Sequence, residues 1–191
     1  EWRKAPGDSK SKGTPKGKLY DQKKRAVHAT NYGASAFTLS RTPEIGWSLD
    51  KANLFQSTWF RLHPGVRDWH TRTENLLRTT RTVSNRYGYR IIYFDRIDTL
   101  LPQALAWLPQ STVALVCFKG ALNLRRAMPF VEILLQVHDS LVFQIPFAHA
   151  ERYDEIRRNL AIPIPYPDPL IIPWSLAKSE KSWGDCEAIK E

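Results

Sequence analysis

Two apolar runs separated by only two polar residues constrain this chain more than any other feature. The stretch "LLQVHDSLVFQIP", residues 134–146, is apolar on both sides of His138 and Asp139. It predicts two antiparallel strands, at 131–137 and 140–145, joined by a two-residue turn in which Asp is well tolerated. Because both strands are apolar on both faces, we expect the hairpin to lie inside a domain. A carboxylate held at its tip suits a metal cation, whereas the turn alone favours an ordinary polar loop.

Composition favours a folded protein with a polyanionic partner. The chain has 191 residues, of which 42% are hydrophobic, enough for one sizeable core or two small ones. The net charge of +9 favours nucleic acid over an anionic membrane as a partner, although a merely basic protein is as compatible with the charge alone. The sequence contains no run of about 18 apolar residues, so we expect no membrane span.

The cysteine count and the first residue bear on where the protein works. Cys117 and Cys186 are too few for a disulfide framework or a four-ligand zinc site, and no signal peptide is recognisable. We therefore expect a cytoplasmic protein of a bacterial or phage-infected cell. The chain begins with Glu1 rather than Met, so we expect a fragment, a processed piece or a split-gene product.

The chain divides into three predicted parts. Residues 1–19 are rich in Lys, Gly, Pro and Ser and predict a flexible basic segment. Residues 20–80 predict helices, including one from Tyr20 to Tyr32 that Gly33 ends. Residues 81–191 predict a strand pair, a helix that begins near Pro109, the hairpin, a further helix and a Pro-rich tail with one late strand. The predicted fold class is α+β, with a mostly helical portion followed by an antiparallel hairpin with packed helices.

A second predicted helix begins at Ser48, which suits an N-cap position. One apolar stripe on this helix consists of Leu54, Phe55, Thr58, Trp59 and Leu62.

One face of the first predicted helix carries three chemically distinct side chains. In "YDQKKRAVHATNYG", Lys24, His28 and Tyr32 follow one another at four-residue spacing and therefore share one helix face. A cation, an imidazole and an aromatic ring in a row suit a triphosphate, a sugar and a base. Taken alone, such a row is more often a solvated basic face.

These two segments resemble motifs of family A DNA polymerases, the bacterial DNA polymerase I-like enzymes. The hairpin resembles motif C, "Q-V-H-D-E-L-V", with Ser140 in place of the family Glu. The first helix resembles motif B of the fingers, with wording closer to phage relatives. Here His28 replaces the usual Phe or Tyr, and Tyr20 replaces a phosphate-binding Arg.

Other segments are similar to the family in the same order. "FQSTWFRLHPGVRDW" resembles a helix pair, "VSNRYGYRIIYFD" resembles the "G-R-R-R-x-x-P-D" segment, and "PLIIPWSLAKSEKSWGD" resembles the C-terminal strand and Trp. "PQSTVA" resembles the start of a helix whose Gln reads the primer–template minor groove. Gln110 matches that Gln, whereas Ala106 stands where an Asn is usual. The resemblance spans about residues 20–185.

The resemblance implies a role for each matching residue. Asp139 would bind catalytic magnesium, of which the complete enzyme holds two ions, and His138 would contact the primer terminus. Lys24 would contact the triphosphate and His28 the sugar of a deoxynucleoside triphosphate. Tyr32, followed by Gly33, would pack at the templating base of primer–template DNA, and Gln110 would contact its minor groove.

One carboxylate of the family is missing from the pattern. Residues 1–23 contain no segment like D-Y-S-x-x-E, which supplies the first palm carboxylate in the family. Asp95 is an alternative, although its neighbourhood matches the "x-x-P-D" turn instead. We therefore expect the fingers and second palm part of a replicative DNA polymerase, inactive alone, whose partner is the missing N-terminal portion. The alternatives are a non-catalytic DNA-binding remnant of a polymerase and an unrelated basic structural protein.

Overall fold

The computed structural model describes residues 15–189, which fall into two compact units. The first comprises residues up to Val83 together with Ile91–Trp107, and the second comprises Ser84–Arg90 and the residues from Leu108 onward. The helices are α1 Pro15–Asn31, α2 Ala36–Arg41, α3 Leu49–Leu62, α4 Pro64–Thr79, α5 Ile97–Ala127 and α6 Tyr153–Leu160. The strands are β1 Thr82–Ser84, β2 Arg90–Ile92, β3 Glu132–Val137, β4 Ser140–Gln144, β5 Pro163–Ile164, β6 Leu170–Ile171, β7 Ala177–Lys178 and β8 Glu187–Ala188. Helices with small antiparallel hairpins confirm the predicted α+β class.

Helix α1 begins earlier than predicted. Its first residue is Pro15, so residues 15–19 are helical rather than part of a flexible segment, and residues 1–14 lie outside the described part of the chain. Proline is well tolerated at the first helical position, because the first N–H groups of a helix have no partner within it. Helix α1 therefore extends one turn further toward the N-terminus than the sequence pattern indicated.

The core of the first unit is built from side chains of α1, α2 and α3 and of the segment between α2 and α3. Its buried members are Ala26, Ala36, Leu39, Ile45, Trp47 and Ala52. Ser48 caps α3 as predicted, since its hydroxyl accepts a hydrogen bond from the N–H of Lys51. Within the apolar stripe of α3, Phe55 packs against this core, whereas Leu54 is 69% exposed and Leu62 is 60% exposed. The six-residue helix α2, which the sequence pattern did not indicate, packs against α3, of which Ala52 is buried in the same core.

Helix α5 starts at Ile97, twelve residues before Pro109, so the predicted start is wrong. Proline inside a helix removes one backbone hydrogen bond and costs about 3 kcal/mol. Burial of Ala104, Leu105 and Val116 offsets that cost, and Thr112 donates its hydroxyl to the Leu108 carbonyl at 2.7 Å. The segment Thr99–Ala127 is long and apolar enough to cross a membrane by length and composition alone. The core helix of a soluble protein meets the same two criteria.

The predicted hairpin forms the frame of the second unit. Strands β3 and β4 pair antiparallel around the turn at His138 and Asp139, which confirms the predicted positions of the strands. One face packs on a cluster whose buried members are Leu124, Met128, Val131, Ile156, Leu160 and Leu176. The register shifts between Ile133 and Leu135. Leu134 and Leu135 are about half exposed, so the hairpin is not enclosed on both faces by the described residues.

The Pro-rich tail forms two short hairpins rather than one late strand. Strand β5 pairs with β6, and β7 pairs with β8, each over two residues. Prolines recur between these strands, and because proline lacks an N–H it interrupts a ladder of backbone hydrogen bonds. Tail residues Ile162 and Ile164 are buried against Val116 of α5, which fixes the tail on the second unit.

Candidate functional site

The helix α1 places the predicted row on one accessible face. Lys24 and His28 are exposed, and Tyr32 is half-buried just after the last helical residue. The rings of His28 and Tyr32 lie with centroids 6.2 Å apart and planes tilted by 51°. The ammonium group of Lys24 has no hydrogen-bond or ion-pair partner among residues 15–189, so its charge remains available to an anion.

The end of α1 fixes the position of Tyr32. The N–H of Ala34 donates to the Ala29 carbonyl at 2.9 Å, and the N–H of Gly33 donates to the Thr30 carbonyl at 3.1 Å. This pair of bonds is a Schellman motif, in which the residue after the cap adopts a left-handed conformation. Gly33 has a φ of +85°, and a Cβ there would lie 3.3 Å from Leu105 Cδ1. The chain therefore requires Gly33 for the turn and for the close approach of α5.

Three side chains from α3 and α4 make hydrogen bonds to the end of α1. Gln56 donates to the Ala34 carbonyl at 2.7 Å, and Trp59 donates its indole N–H to Asn31 Oδ1 at 2.9 Å. The His70 ring nitrogen lies 2.8 Å from the Asn31 carbonyl oxygen. Sequence reasoning missed these supporting residues, although Gln56 and Trp59, three residues apart on one helix, share a face. The position of Tyr32 therefore depends on side-chain packing within the first unit.

A depression of about 480 Å³ lies between α1 and the segment that follows α2. Its lining includes Lys24, Arg25 and His28 from α1 and Thr42 and Ile45 from the facing segment. Two cations beside an imidazole give this depression an affinity for anions, which Asp21 at its edge reduces in part. Arg25, the residue after Lys24 on α1, lines this depression beside it.

The hairpin tip presents two predicted site residues, His138 and Asp139, to solvent. His138 has a φ of +54°, uncommon for a residue with a Cβ, and its carbonyl accepts a hydrogen bond from Gln136 at 3.3 Å. Ser140 donates its hydroxyl to the Val137 carbonyl at 2.7 Å, so its proton closes the turn. The side chains of His138 and Asp139 are exposed and have no hydrogen bond to any residue in 15–189. The turn is held by the side chains of Gln136 and Ser140 from the hairpin itself, and the Asp139 carboxylate is left free.

A cavity of about 510 Å³ adjoins the hairpin within the second unit. Asp139, Cys117, Trp174 and Cys186 are among the residues that line it. Burial, and secondarily the nearby Asp139 carboxylate, raise the pKa of the Cys117 thiol. This thiol therefore stays protonated at neutral pH, and a protonated thiol is a poor metal ligand. No cluster of three or more His, Cys, Asp or Glu side chains suited to a metal lies within the described residues.

Gln110 is exposed on α5 beside an anchored loop. The next residue, Ser111, accepts a hydrogen bond from Asn85 Nδ2 at 3.1 Å, and Asn85 Oδ1 in turn accepts the N–H of Tyr87. The loop between β1 and β2 is thereby fixed next to the Gln110 turn of α5. Ala106, one turn earlier, is half-buried and offers no polar group.

Asp95 serves a local role. Its carboxylate accepts the N–H of Arg96 at 3.2 Å, and its carbonyl accepts a hydrogen bond from the Arg81 guanidinium at 2.6 Å. The first bond is local, the second ties the residue before β1 to the segment between β2 and α5, and neither indicates a metal ligand. Lys24, His28, Tyr32 and Gly33 lie in the first unit, whereas Gln110, His138 and Asp139 lie in the second.

Comparison with known proteins identifies the family. The family model of DNA polymerase family A matches residues 16–163. The chain belongs to DNA polymerase family A. It is 32% identical over 166 residues to DNA polymerase I of Treponema pallidum, a match that covers 81% of this chain and 16% of that protein. It is 29% identical over 139 residues to DNA polymerase I of Helicobacter pylori, which covers 68% of this chain and 15% of that protein.

A solved structure agrees on the fold. The polymerase domain of Pol1 from M. smegmatis, in complex with DNA primer-template and dNTP, matches with a TM-score of 0.67 and 23% identity. The match covers 78% of this chain and 28% of that one. The resemblance seen in the sequence is thus confirmed. This family A chain spans about a sixth of the length of the curated relatives above, both of them bacterial. A phage-like origin stays a prediction.

Proposed function

We propose that the chain is the fingers and second palm part of a DNA-directed DNA polymerase that extends a primer 3′ end in DNA replication. The observation that carries this proposal is the row of Lys24, His28 and Tyr32, which α1 presents on one accessible face and a Schellman motif ends. Membership of family A and a fold like that of a polymerase solved with primer-template and dNTP support it. The chain's substrates are then deoxynucleoside triphosphates and primer–template DNA.

The charges on α1 suit the nucleotide. Lys24 is exposed and unpaired within residues 15–189, so its full charge is available to the triphosphate, where charge neutralisation dominates the catalysis of phosphoryl transfer. His28 faces the sugar, and its ring lies against Tyr32, which packs at the templating base with Gly33 behind it. Tyr20 carries no charge, so Arg25 in the α1 depression supplements Lys24.

Asp139 fits one ligand position of Mg²⁺. This ion keeps several waters and is commonly bound by one or two carboxylates together with substrate phosphates. An exposed carboxylate at a braced turn, with no hydrogen bond to the described residues, meets that requirement, whereas the Ser140 hydroxyl brings no charge. When bound, magnesium ions neutralise the charge that develops on the transferring phosphate. We propose that His138 contacts the primer terminus, that Gln110 contacts the DNA minor groove, and that the first palm carboxylate comes from a further polymerase portion.

The first test is nucleotide binding by the 191-residue chain with and without magnesium. Lys24→Ala should weaken binding of a fluorescent deoxynucleoside triphosphate about ten- to a hundredfold, since a charge-assisted hydrogen bond contributes roughly 1.5–3 kcal/mol. Lys18→Ala removes the same charge from an exposed position on the same helix, outside the depression, and should change little. Equal losses in both variants would show that only net charge matters. Nucleotide binding of equal affinity with and without magnesium would favour the non-catalytic DNA-binding alternative.

The second test is primer extension. The chain alone should bind DNA in a strongly salt-dependent way and should not extend a primer. Extension should appear when a polymerase portion with the first palm carboxylate is added. Asp139→Asn should then abolish extension and leave DNA binding intact, because Asn keeps the turn and removes the charge. Full activity of the Asn variant would exclude Asp139 as a metal ligand, and robust extension by the chain alone would reopen Asp95 as the second carboxylate.

A further inference from the structure

The cavity beside the hairpin has a chemistry that nucleotide binding does not account for. It has a volume of about 510 Å³ and lies wholly within the second unit, where α5, β4, the end of α6 and the Pro-rich tail form its walls. Pockets that hold small molecules commonly have volumes of about 300–1,000 Å³. Of the residues that line this cavity, the function proposed above uses only Asp139.

The charge of this cavity is opposite in sign to that of the whole chain. The chain carries a net charge of +9, yet the lining contains no Lys, Arg or His, and Asp139 is its one acidic residue. Asp139 is exposed and makes neither a hydrogen bond nor an ion pair to residues 15–189. Because a carboxylate acts more strongly beside low-dielectric walls than in open water, the cavity attracts cations and repels anions such as nucleotides.

The walls indicate an organic cation rather than a metal ion. A metal ion held by the protein alone requires several ligands, and no group of three or more His, Cys, Asp or Glu side chains suited to a metal lies within the described residues. The indoles of Trp174 and Trp183 line the cavity together with the ring of Phe143, and Trp183 is 57% exposed, so much of its surface is uncovered. The face of an aromatic ring attracts a cation, most strongly for Trp, and proteins bind quaternary ammonium groups on such rings.

We propose that this cavity binds a small organic ammonium ion, with the positive charge beside Asp139 and the alkyl groups against Trp174 and Trp183. The apolar walls favour alkyl groups over a hydrated inorganic ion, because burial of alkyl groups removes apolar surface from water. The single carboxylate favours a ligand with a positive charge over a neutral ligand of the same shape. The proposal requires neither magnesium nor a nucleotide, and it goes beyond the polymerase function.

The test compares two probes of the same shape. Choline carries a trimethylammonium group, and its isostere 3,3-dimethylbutanol has a neutral carbon in place of the nitrogen. Each probe is titrated into the nitrogen-15-labelled 191-residue chain in phosphate buffer, without magnesium, nucleotide or any amine buffer. The indole N–H signals of the seven Trp residues are followed by NMR.

The expected result is a saturable shift at two of these signals, those of Trp174 and Trp183, which Trp174→Phe and Trp183→Phe assign. Choline should bind about three- to thirtyfold more tightly than the alcohol, because a contact between a cation and an aromatic ring is worth roughly 0.5–2 kcal/mol. The signal of Trp59, which lies in the first unit, should not follow the titration.

Two matched pairs of variants locate the site. Asp139→Asn should remove the preference for choline over the alcohol, whereas Asp168→Asn makes the same change in net charge outside the cavity and should keep the preference. Trp183→Leu removes a ring from the cavity and should weaken choline binding about threefold or more. Phe147→Leu removes a ring that is 79% exposed and lies outside the cavity, and should leave choline binding unchanged. Circular dichroism confirms that each variant is folded.

Three outcomes overturn the proposal. Equal affinity for choline and the alcohol shows an apolar cavity with no preference for a cation. Absence of a saturable shift at Trp174 and Trp183, or equal shifts at all the indole signals, shows that the cavity is not the site. Equal losses in Asp139→Asn and Asp168→Asn show that choline responds to net charge alone. Because the assay contains no magnesium or nucleotide, its failure and a failure of magnesium-dependent nucleotide binding are distinguishable.

Discussion

The end of helix α1 and the tip of the β3–β4 hairpin both present predicted site residues, but the protein supports them differently. The α1 end is held by Gln56, Trp59 and His70, which come from two other helices. The hairpin tip is held by two short-range bonds, from Gln136 and Ser140, within the hairpin itself. One position thus depends on the packing of a whole unit, and the other depends on a local turn.

This difference determines how mutations at each place should be interpreted. A substitution that disturbs the α1 end changes folding stability and the position of Tyr32 together. Asp139 is exposed and has no hydrogen bond to residues 15–189, so its replacement should leave stability nearly unchanged. A loss of activity on mutation of the hairpin tip therefore reports on the chemistry of the site. A loss of activity on mutation of the α1 end can be assigned to the site only if folding stability is measured as well.

The largest expected effect is at Gly33. Gly33→Ala should lower the free energy of unfolding by about 1–3 kcal/mol, because a Cβ at φ +85° is strained and would crowd Leu105. Urea unfolding followed by tryptophan fluorescence measures the change.

Two glycines separate strain from crowding. Gly88 also has a positive φ, +80°, but an added Cβ there meets nothing within 4 Å, so Gly88→Ala should cost only the strain. Gly65 lies in α4 with no positive φ and equally open surroundings, so Gly65→Ala should be neutral or stabilising. If Gly33→Ala cost no more than Gly88→Ala, the close approach of α5 would have no energetic weight.

The next effect concerns the support from α3. Gln56→Leu should destabilise the chain by about 1–2 kcal/mol, because the Ala34 carbonyl loses its donor and becomes an unsatisfied polar group. Ser57→Ala, the next residue along, loses only a bond to its own helix at Leu54 and should stay within about 0.5 kcal/mol of wild type. Thermal unfolding compares them, and equal effects would mean that the α1 end does not depend on α3.

A smaller effect of opposite sign is expected at the hairpin tip. His138→Gly should stabilise the protein by up to about 1 kcal/mol, because it relieves a left-handed conformation and removes no hydrogen bond made by the side chain. Arg81 has a similar φ of +53° but donates to the Asp95 carbonyl, so Arg81→Gly should gain less or lose stability. Destabilisation by His138→Gly would show that the ring packs at the tip, against the local support inferred here.

Local signals predicted local structure well. The two-residue turn placed β3 and β4, and Gly33 marked the end of α1, since both depend on a few adjacent residues. The predicted start of α5 was wrong. A proline is favourable at the start of a helix and unfavourable inside one, which led to a start near Pro109, but α5 begins at Ile97 and its buried residues on both sides of Pro109 offset the cost. Helix α2 was not predicted, because six residues are too few to show a periodic pattern.

The site divides in the same way. Motif residues such as Lys24 and Asp139 could be predicted from sequence because their spacing is local, and their roles stay predictions. Their supports were not, because Gln56 and His70 reach residues 22 and 39 positions away. Long-range partners of this kind leave no periodic trace in one sequence. The predicted cytoplasmic location, which rested on cysteine count, stays a prediction.

The smallest effect links Asp139 to its unit through pH. Burial and the Asp139 carboxylate raise the pKa of Cys117 above its ordinary value of 9.0. The folded state therefore holds this proton more tightly than the unfolded state, so stability is complete below pH 9 and declines as pH rises above it. Asp139→Asn removes the second cause and should make that decline shallower, while burial keeps part of it.

Urea unfolding between pH 7.5 and 10 compares wild type with Asp139→Asn and Asp168→Asn. Burial also raises the pKa of Tyr87 and of Tyr93, which adds the same alkaline decline to all three proteins and cancels in the comparison. Asp168 is an exposed carboxylate outside the cavity that Cys117 lines, so its replacement should follow wild type. If both Asn variants declined alike, the Asp139 carboxylate would not act on Cys117, and the hairpin tip would be electrostatically independent of the helix behind it.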